Sequence, residues 1–472
     1  MRLDEYSAHD AVGLRDLLRA GDVSEAELVA AAREAIGAVD GTLNALAMPL
    51  FDAPLDHAAD GPFAGVPFLI KNSGPVAEGV PFTMGSDLFD GAVAPCDLEI
   101  MRRFRAAGLA TLGVTNVPEM VISFATESRR HGITRNPWDP ERGAGGSSGG
   151  SAALVAAGCV PVAHGNDGAG SIRIPASCCG LVGLKPSRGR TPAGPHETEL
   201  LFGMAYEFAL ARTVRDVAHL LDAVQGAGVG DKVMAIPPVR PYADEVGAPP
   251  PRLRVALATT AFSPVPVDPE CAGAAEAVAT HLAGAGHEVT DASPAIDADL
   301  VREVYDSITL VALAGVPEIA PVTPGPDTAE GTTLAAFERA HTLTAVEIGR
   351  GFRAFHAVAR AAALFFEHHD LLVTPTLAHP PWEHGRLEYD RPGRSMGSWI
   401  DAIFEYGPFT APFNIGGQPA ISVPTGQSAD GLPIGVQIVA AHGREDLLFR
   451  IAAQLEEALP WAGRRPRVHA AA

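Results

Sequence analysis

The chain has 472 residues, of which 47% are hydrophobic and 19% are charged, so it is long and apolar enough to form a large core. Its 35 basic and 56 acidic residues give a formal charge of −21. Nucleic acids and anionic membranes both require a basic surface, so this charge argues against either partner. The sequence contains no run of about 18 apolar residues, so no membrane-spanning helix is expected.

The cysteines form no CxxC pair, so they indicate neither a zinc site nor a disulfide framework. We expect five buried thiols in a reducing cytoplasm. The N-terminus carries Asp4 and Glu5 and lacks an unbroken apolar run, so it does not resemble a signal peptide. The cysteines are Cys96, Cys159, Cys178, Cys179 and Cys271.

The N-terminal half alternates between helical and strand-like segments. Residues 8–36 predict two amphipathic helices, and Ser24 with Glu27 forms a capping-box pattern between them. An apolar run with the length of a strand ends at Lys71. The other predicted segments are strands at 65–70, 110–116 and 160–167, a helix at 97–107, and a flexible loop that runs into an Ala-rich helix at 142–158.

The C-terminal half repeats this alternation, which predicts an α/β fold with a central mixed, mostly parallel sheet covered by helices on both faces. A Gly- and Pro-containing stretch at 379–395 is typical of a long loop that covers a site. The predicted strands lie at 254–260, 371–376, 420–425 and 435–440, the last two as a hairpin, and the helices lie around 268–284, 331–367 and 443–458.

We expect a single domain over 1–472. Its catalytic core spans about 60–230, a Pro-rich surface connection follows at 237–251, and residues 252–472 complete the sheet and the substrate pocket.

The Gly/Ser-rich stretch at 143–150 has three interpretations. A phosphate-binding loop would need a lysine after the glycines, and none is present. A G-x-S-x-G nucleophile elbow matches formally at Ser148, but an elbow directly follows a buried strand, whereas the residues before this one are typical of a loop. A flexible linker is the third interpretation.

A second polar cluster, EHHD at 367–370, resembles a metal site. It lacks the H-E-x-x-H spacing that places two imidazoles on one face of a helix. A polar helix end before the next strand is the preferred interpretation.

The stretch GNDGAGS at 165–171 places Ser171 beside an almost bare backbone. A serine becomes a nucleophile only when a base activates it. His164 is one candidate, although its position in the preceding strand favours a role in the core. Lys71 is the other candidate, and it would have to be desolvated in order to be neutral.

Three motifs in this order resemble the amidase signature family of serine hydrolases, and the resemblance covers nearly the whole chain. They are a lysine after an apolar strand at Lys71, GGSSGGS at 145–151, and D-x-x-G-S-I-R-x-P at 167–175. GLVGLKPSRGR at 180–190 and GQPAISVP at 417–424 agree with the same family.

The resemblance implies an amide hydrolase with a Ser–Ser–Lys triad. In this sequence Ser171 would be the nucleophile, Ser147 the bridging residue after a cis peptide bond, and Lys71 the base. The backbone N–H groups of Gly168, Ala169, Gly170 and Ser171 would hold the oxyanion.

Four further residues are expected to support the triad: Ser148, Asp167, Arg173 and Asn72. The sequence departs from the family pattern at Asn72, where aspartate is usual, at Val114, where many members have lysine, and at Ala169, which replaces a glycine. An uncharged residue at position 72 predicts that the lysine loses its proton at lower pH than it would beside aspartate.

The resemblance implies no metal and no organic cofactor, and its partner is a small-molecule amide. Residues 164–177 are similar to a branch of the family that hydrolyses cyclic and linear 6-aminohexanoate (nylon-type) amides.

An aryl acylamidase and a non-catalytic binding protein on the same fold are alternatives. A glutaminase subunit of a tRNA-dependent amidotransferase is another, although Ile174 replaces its usual glutamine. A homodimer is one hypothesis for the assembly.

Overall fold

The computed structural model describes all residues, 1–472, and contains twelve strands and sixteen α-helices. The strands are β1 (Pro67–Lys71), β2 (Ala110–Thr115), β3 (Glu127–Ser128), β4 (Gly132–Ile133), β5 (Val162–Asp167), β6 (Val182–Lys185), β7 (Tyr206–Ala211), β8 (Arg254–Leu257), β9 (Glu288–Asp291), β10 (Leu371–Pro375), β11 (Ala420–Gln427) and β12 (Pro433–Ala440). The helices are α1 (Leu3–Ala8), α2 (Ala11–Ala20), α3 (Glu25–Leu43), α4 (Glu99–Ala106), α5 (Gly149–Ala156), α6 (Arg173–Cys179), α7 (Val214–Val224), α8 (Pro269–Gly284), α9 (Ala298–Tyr305), α10 (Ile308–Ala314), α11 (Val316–Ile319), α12 (Gly331–Thr342), α13 (Ala345–Phe365), α14 (Met396–Tyr406), α15 (Ala411–Gly416) and α16 (Glu445–Ala458).

Eight strands form one sheet in the order β5–β7–β6–β11–β12–β10–β8–β9. Five of the seven neighbouring pairs are antiparallel, and the two parallel pairs are β10–β8 and β8–β9. The α/β fold with a mixed sheet is therefore confirmed, whereas the expectation of a mostly parallel sheet is wrong. A strand buried on both faces is apolar whichever way it runs, so its composition does not report its direction.

Helices cover both faces of this sheet. Every residue of β6, β7, β10 and β12 is buried. Because successive residues of a strand point to opposite faces, continuous burial requires cover on both sides. Helices α5, α6, α7, α8 and α16 all pack against the sheet.

The ends of two strands bring distant parts of the sequence together. β1 and β2 form a separate parallel pair, and β1 packs beside β5. Lys71 is the last residue of β1, and Asp167 is the last residue of β5. The loop that follows β5 therefore begins close to the end of β1.

Most predicted elements lie within a few residues of their expected bounds. The capping box at the start of α3 is confirmed, because the Ser24 hydroxyl and the Glu27 carboxylate each accept a hydrogen bond from the other's backbone N–H. The loop at 379–395 contains no helix or strand, as predicted. Among the elements that were not predicted are the short strands β6, β7 and β9 and the helices α7, α9–α11, α14 and α15.

One expectation about exposure is wrong, because all five cysteines are free but Cys96 is half-buried rather than buried. The Pro-rich segment at 237–251 lies largely at the surface, and two of its residues, Tyr242 and Glu245, are buried. Glu245 forms an ion pair with Arg450 of α16 at 2.6 Å, which attaches the segment to the helix layer. None of the helices combines the length and apolarity that crossing a membrane requires.

Candidate active site

The side chain of Lys71 is fully buried at the end of β1. Its Nζ donates hydrogen bonds to Ser147 Oγ at 2.7 Å and to Asn166 Oδ1 at 2.5 Å. Burial lowers the pKa of this lysine from 10.5 to about 7, against the opposing effect of the charges on Glu207 and Asp167. At neutral pH a substantial fraction of the amine is therefore unprotonated and can accept a proton.

The Gly/Ser-rich stretch is a rigid part of the core. Residues 144–151 are all buried, which is inconsistent with a flexible linker. The peptide bond between Gly146 and Ser147 is cis, as the family resemblance implied. A Cβ added at Gly146 would lie 2.6 Å from the carbonyl oxygen of Ser123, so the close approach of two backbone segments requires glycine there.

Ser148 is turned towards the neighbouring loop. Its Oγ donates to the carbonyl oxygen of Ser171 at 2.5 Å and connects the two serine-containing segments. The hydroxyl is engaged in this bond and Lys71 contacts Ser147 instead, so the geometry does not support the nucleophile elbow at Ser148.

Ser171 lies in the loop between β5 and α6, beside backbone N–H groups that are not hydrogen-bonded. The residue is about 6% exposed, and its hydroxyl bonds to no other group of the chain. The backbone N–H groups of residues 168–171 also donate to no group of the chain. Gly170 has φ = +139°, and a Cβ there would lie 2.5 Å from Thr410 Oγ1. A hydroxyl beside four free N–H groups is a donor set suited to a developing oxyanion.

Asp167 and Arg173 form a fully buried ion pair at the two ends of this loop. The guanidinium bonds to both carboxylate oxygens, at 2.8 and 2.9 Å. Burial by itself would raise the pKa of Asp167, but Arg173 and Asn414 outweigh it and hold the pKa at about 2. Arg173 also bonds to Gln437 Oε1 at 2.7 Å, which attaches the loop to the C-terminal half.

A buried polar network behind Lys71 was not predicted. The backbone N–H of Lys71 donates to His164 Nδ1 at 3.2 Å, and His164 Nε2 lies 2.6 Å from Glu207 Oε2. Since Nδ1 accepts, Nε2 carries the proton of a neutral imidazole and donates to Glu207. Asn166 Nδ2 donates to the other Glu207 oxygen at 3.1 Å. His164 thus supports Lys71, and the structure does not place it against Ser171.

The signal for this network was partly present in the sequence. His164 and Asn166 alternate along β5 and so share one face. Their partner Glu207 lies on β7, opposite Asn166 in the antiparallel register, and this pairing cannot be inferred from local pattern.

The departures from the family pattern lie in different surroundings. Asn72 is turned away from Lys71, because its Nδ2 donates to Thr83 Oγ1 at 2.6 Å and its Oδ1 accepts from the Thr83 N–H at 2.9 Å. Val114 is buried in β2 beside Ile70 of β1.

The EHHD stretch lies where α13 gives way to β10. The ring of His369 stacks on Phe365 at 4.3 Å, and Asp370 forms an ion pair with Arg254 at 2.9 Å. His369 and Asp370 therefore contact neighbouring elements, whereas Glu367 and His368 are exposed.

Comparison with known proteins agrees with this geometry. The sequence profile of the Amidase family matches residues 27–449. A 6-aminohexanoate-cyclic-dimer hydrolase from Paenarthrobacter ureafaciens is 44% identical, and the alignment covers 97% of this chain and 96% of that protein.

Two solved structures extend the comparison to three dimensions. A 6-aminohexanoate cyclic dimer hydrolase superposes with a TM-score of 0.92 at 41% identity, covering 98% of this chain and 99% of the other. A bacterial aryl acylamidase of the amidase signature family superposes with a TM-score of 0.85 at 25% identity, covering 97% and 99%. The chain belongs to the amidase signature family and is an amide hydrolase.

Proposed function

We propose that this amidase hydrolyses 6-aminohexanoate-type amides, cyclic or linear, through an acyl-enzyme on Ser171. The observation that carries the chemistry is the 2.7 Å hydrogen bond between the buried amine of Lys71 and the hydroxyl of Ser147. The substrate class is supported by the 44% identity to a relative whose name specifies the 6-aminohexanoate cyclic dimer.

Acylation would begin with attack of Ser171 Oγ on the carbonyl carbon of the amide. Ser171 Oγ is not bonded to Ser147 Oγ in the free enzyme, so the two hydroxyls must come within hydrogen-bond reach when substrate binds. The Ser171 proton then passes to Ser147 Oγ, while the Ser147 proton passes to the neutral amine of Lys71. The carbonyl oxygen becomes an oxyanion, and the free N–H groups of residues 168–171 stabilise it.

Collapse of the tetrahedral intermediate breaks the C–N bond. The nitrogen leaves with the proton held by Lys71 and Ser147, so that both return to their starting state. Water then attacks the ester on Ser171 by the same route and releases the acid. For a cyclic amide the new amine remains attached to the acyl chain until this second step, whereas a linear amide loses its amine first.

The surroundings of the loop suit a substrate with methylene chains. Ala169 of the loop and Leu201 beside it are partly buried apolar residues that pack against the core. Leu201 Cδ2 lies 3.4 Å from the position of a Cβ on Gly168. Apolar walls of this kind favour an aliphatic acyl chain over a charged one.

The experiment that tests the substrate class is a hydrolysis screen with mass-spectrometric detection of products. It compares the 6-aminohexanoate cyclic dimer, the linear dimer, 4-nitroacetanilide and glutamine. We expect 6-aminohexanoate products from at least one of the two dimers, and no product with Ser171→Ala. Faster turnover of 4-nitroacetanilide would instead identify an aryl acylamidase, and release of ammonia from glutamine would identify a glutaminase.

The role of Ser171 is tested independently of the substrate. Treatment with a fluorophosphonate should add one adduct to the peptide that contains Ser171. An adduct on Ser148 would instead identify Ser148 as the nucleophile of a G-x-S-x-G elbow. The absence of any adduct would favour a non-catalytic binding protein.

We also propose that the protein works in the cytoplasm. All five thiols are free and four of them are buried, which supports a reducing compartment such as the cytoplasm.

A further inference from the structure

Each carbonyl oxygen of residues 167–170 accepts a hydrogen bond from a residue outside 167–171. Three of the four donors are side chains from the C-terminal half of the chain. The pairs are Asn414 Nδ2 with Asp167 O (2.8 Å), Tyr305 Oη with Gly168 O (2.8 Å), Thr410 Oγ1 with Ala169 O (2.5 Å), and the N–H of Ile174 with Gly170 O (2.7 Å).

This arrangement determines where the free N–H groups point. A peptide unit is planar and trans, so its C=O and the N–H of the next residue point in opposite directions. The bond from Tyr305 to Gly168 O therefore orients the N–H of Ala169. In the same way, the bond from Thr410 to Ala169 O orients the N–H of Gly170. A donor at the carbonyl also polarises the peptide and makes its N–H a stronger donor.

The hydroxyls of Tyr305 and Thr410 each make this one bond and no other within the chain. Tyr305 is buried at the end of α9, where its ring packs edge-on against Phe404 at 5.3 Å. Burial raises the pKa of this phenol well above 10, so it remains a neutral donor. Asn414 differs, because it also bonds to Asp167 and Arg173 and so holds the fold of the loop.

We propose that Tyr305 and Thr410 are positioning residues for the oxyanion hole. Neither side chain is required to touch the reacting atoms, and each acts through the peptide group that it holds. This inference rests on the proposed role of the 168–171 backbone. It adds that two residues of the C-terminal half, one at the end of α9 and one directly before α15, hold that backbone in place.

The test compares Tyr305→Phe and Thr410→Val with the wild-type enzyme on 6-aminohexanoyl-4-nitroanilide. We expect kcat to fall about tenfold in each variant, less than the roughly 100-fold to 1000-fold loss caused by removing a direct oxyanion donor. KM should change by no more than about twofold, since the ground-state carbonyl gains less from these donors than the oxyanion does. Affinity for the matching trifluoromethyl ketone, whose adduct carries an oxyanion, should fall in parallel with kcat.

Matched controls separate positioning from simple loss of a buried hydroxyl. Tyr6 bonds to Cys159 O at 3.0 Å and Thr332 bonds to Tyr389 O at 2.5 Å, and both are buried side chains that do not contact the loop. Tyr6→Phe and Thr332→Val should leave kcat unchanged. Thr410→Ser keeps the hydroxyl and should restore most of the activity that Thr410→Val loses.

The inference is overturned if KM rises while kcat stays constant, if ketone affinity does not change, or if Thr410→Ser is as slow as Thr410→Val. The rate of fluorophosphonate labelling at Ser171 gives a second readout that needs no substrate, and it should fall in both variants. A wild-type protein that is not labelled at Ser171 would contradict the proposed function itself. Labelling at Ser171 that is equally fast in the variants would contradict this inference alone.

Discussion

At the residue scale, burial and nearby charge have opposite effects on the pKa of Lys71, the proposed base. Lys71 has no exposed surface, and burial is the largest influence on its pKa of about 7. The charges of Glu207 and Asp167 act in the opposite sense, so the protonated amine is not suppressed completely. Loss of a proton from Lys71 should therefore appear as the acid limb of kcat/KM near neutral pH.

Replacing Glu207 with glutamine should move this acid limb to lower pH. The carboxylate favours the protonated amine, so its removal lowers the pKa of Lys71 and leaves the base neutral in more acidic solution. The measurement is the pH dependence of kcat/KM for wild type and Glu207→Gln.

Asn72→Asp is the comparison for this experiment. The side chain at position 72 faces Thr83, so an added charge there should shift the limb towards higher pH by a smaller amount. If the acid limb of kcat/KM lies at the same pH in Glu207→Gln as in the wild type, the buried carboxylate does not influence the pKa of Lys71.

Lys71→Met should fold normally but lose activity by about 100-fold to 10,000-fold, the usual contribution of general acid–base catalysis. Methionine keeps the length of the stem and removes the proton acceptor. Circular dichroism controls for folding, and single-turnover acylation measures the loss. Nearly full acylation by a folded Lys71→Met protein would mean that another group is the base.

At the element scale, the Gly/Ser-rich stretch positions Ser147 by close packing. Its glycines allow the backbone to approach neighbouring segments at distances that a Cβ would prevent. The stretch leads directly into α5, so any displacement would be transmitted to the serine that contacts Lys71.

Gly146→Ala should therefore reduce kcat strongly, because the new Cβ would lie 2.6 Å from Ser123 O and would displace Ser147. Gly143→Ala is the matched control in the same stretch, since its nearest neighbour, Trp382 O, would be 3.5 Å away. Steady-state kinetics of both variants, with thermal unfolding as the check on folding, give the comparison. Equal activity in the two alanine variants would contradict the packing argument.

At the scale of the whole molecule, the site depends on both halves of the chain. β6 of the N-terminal half pairs with β11 of the C-terminal half, so one sheet runs through both. The single domain expected over 1–472 stays a prediction, and so does the homodimer, which analytical ultracentrifugation would test.

The lysine distribution offers a direct test of the single domain. The chain has three lysines, and Lys71 and Lys185 are fully buried whereas Lys232 is exposed. The endoproteinase Lys-C should cut the native protein once, after Lys232. Because the sheet continues across the cut, fragments 1–232 and 233–472 should stay associated on size exclusion and separate only in denaturant.

Lys232→Arg is the control and should resist cleavage under the same conditions. Early cleavage at Lys71 or Lys185, or separation of the fragments in native buffer, would contradict a single domain.

The sequence by itself determined the features that depend on neighbouring residues. The capping box of Ser24 and Glu27, the short strand that ends at Lys71 and the loop after β5 were all predicted, because each rests on residues close together in the chain. The family motifs also identified Lys71 and Ser147 as residues that belong together, and the structure brings them into contact.

The tertiary structure alone decided the strand directions and the groups around the site. Glu207 reaches Asn166 through strand pairing, and Tyr305 and Thr410 reach the carbonyl oxygens of Gly168 and Ala169 from segments more than 130 residues away in the chain. Such contacts leave no local periodicity in the sequence, because the packing of whole elements determines which donor meets which carbonyl. Buried apolar strands likewise carry no mark of their direction, so the mostly antiparallel pairing of this mixed sheet is visible only in the tertiary structure.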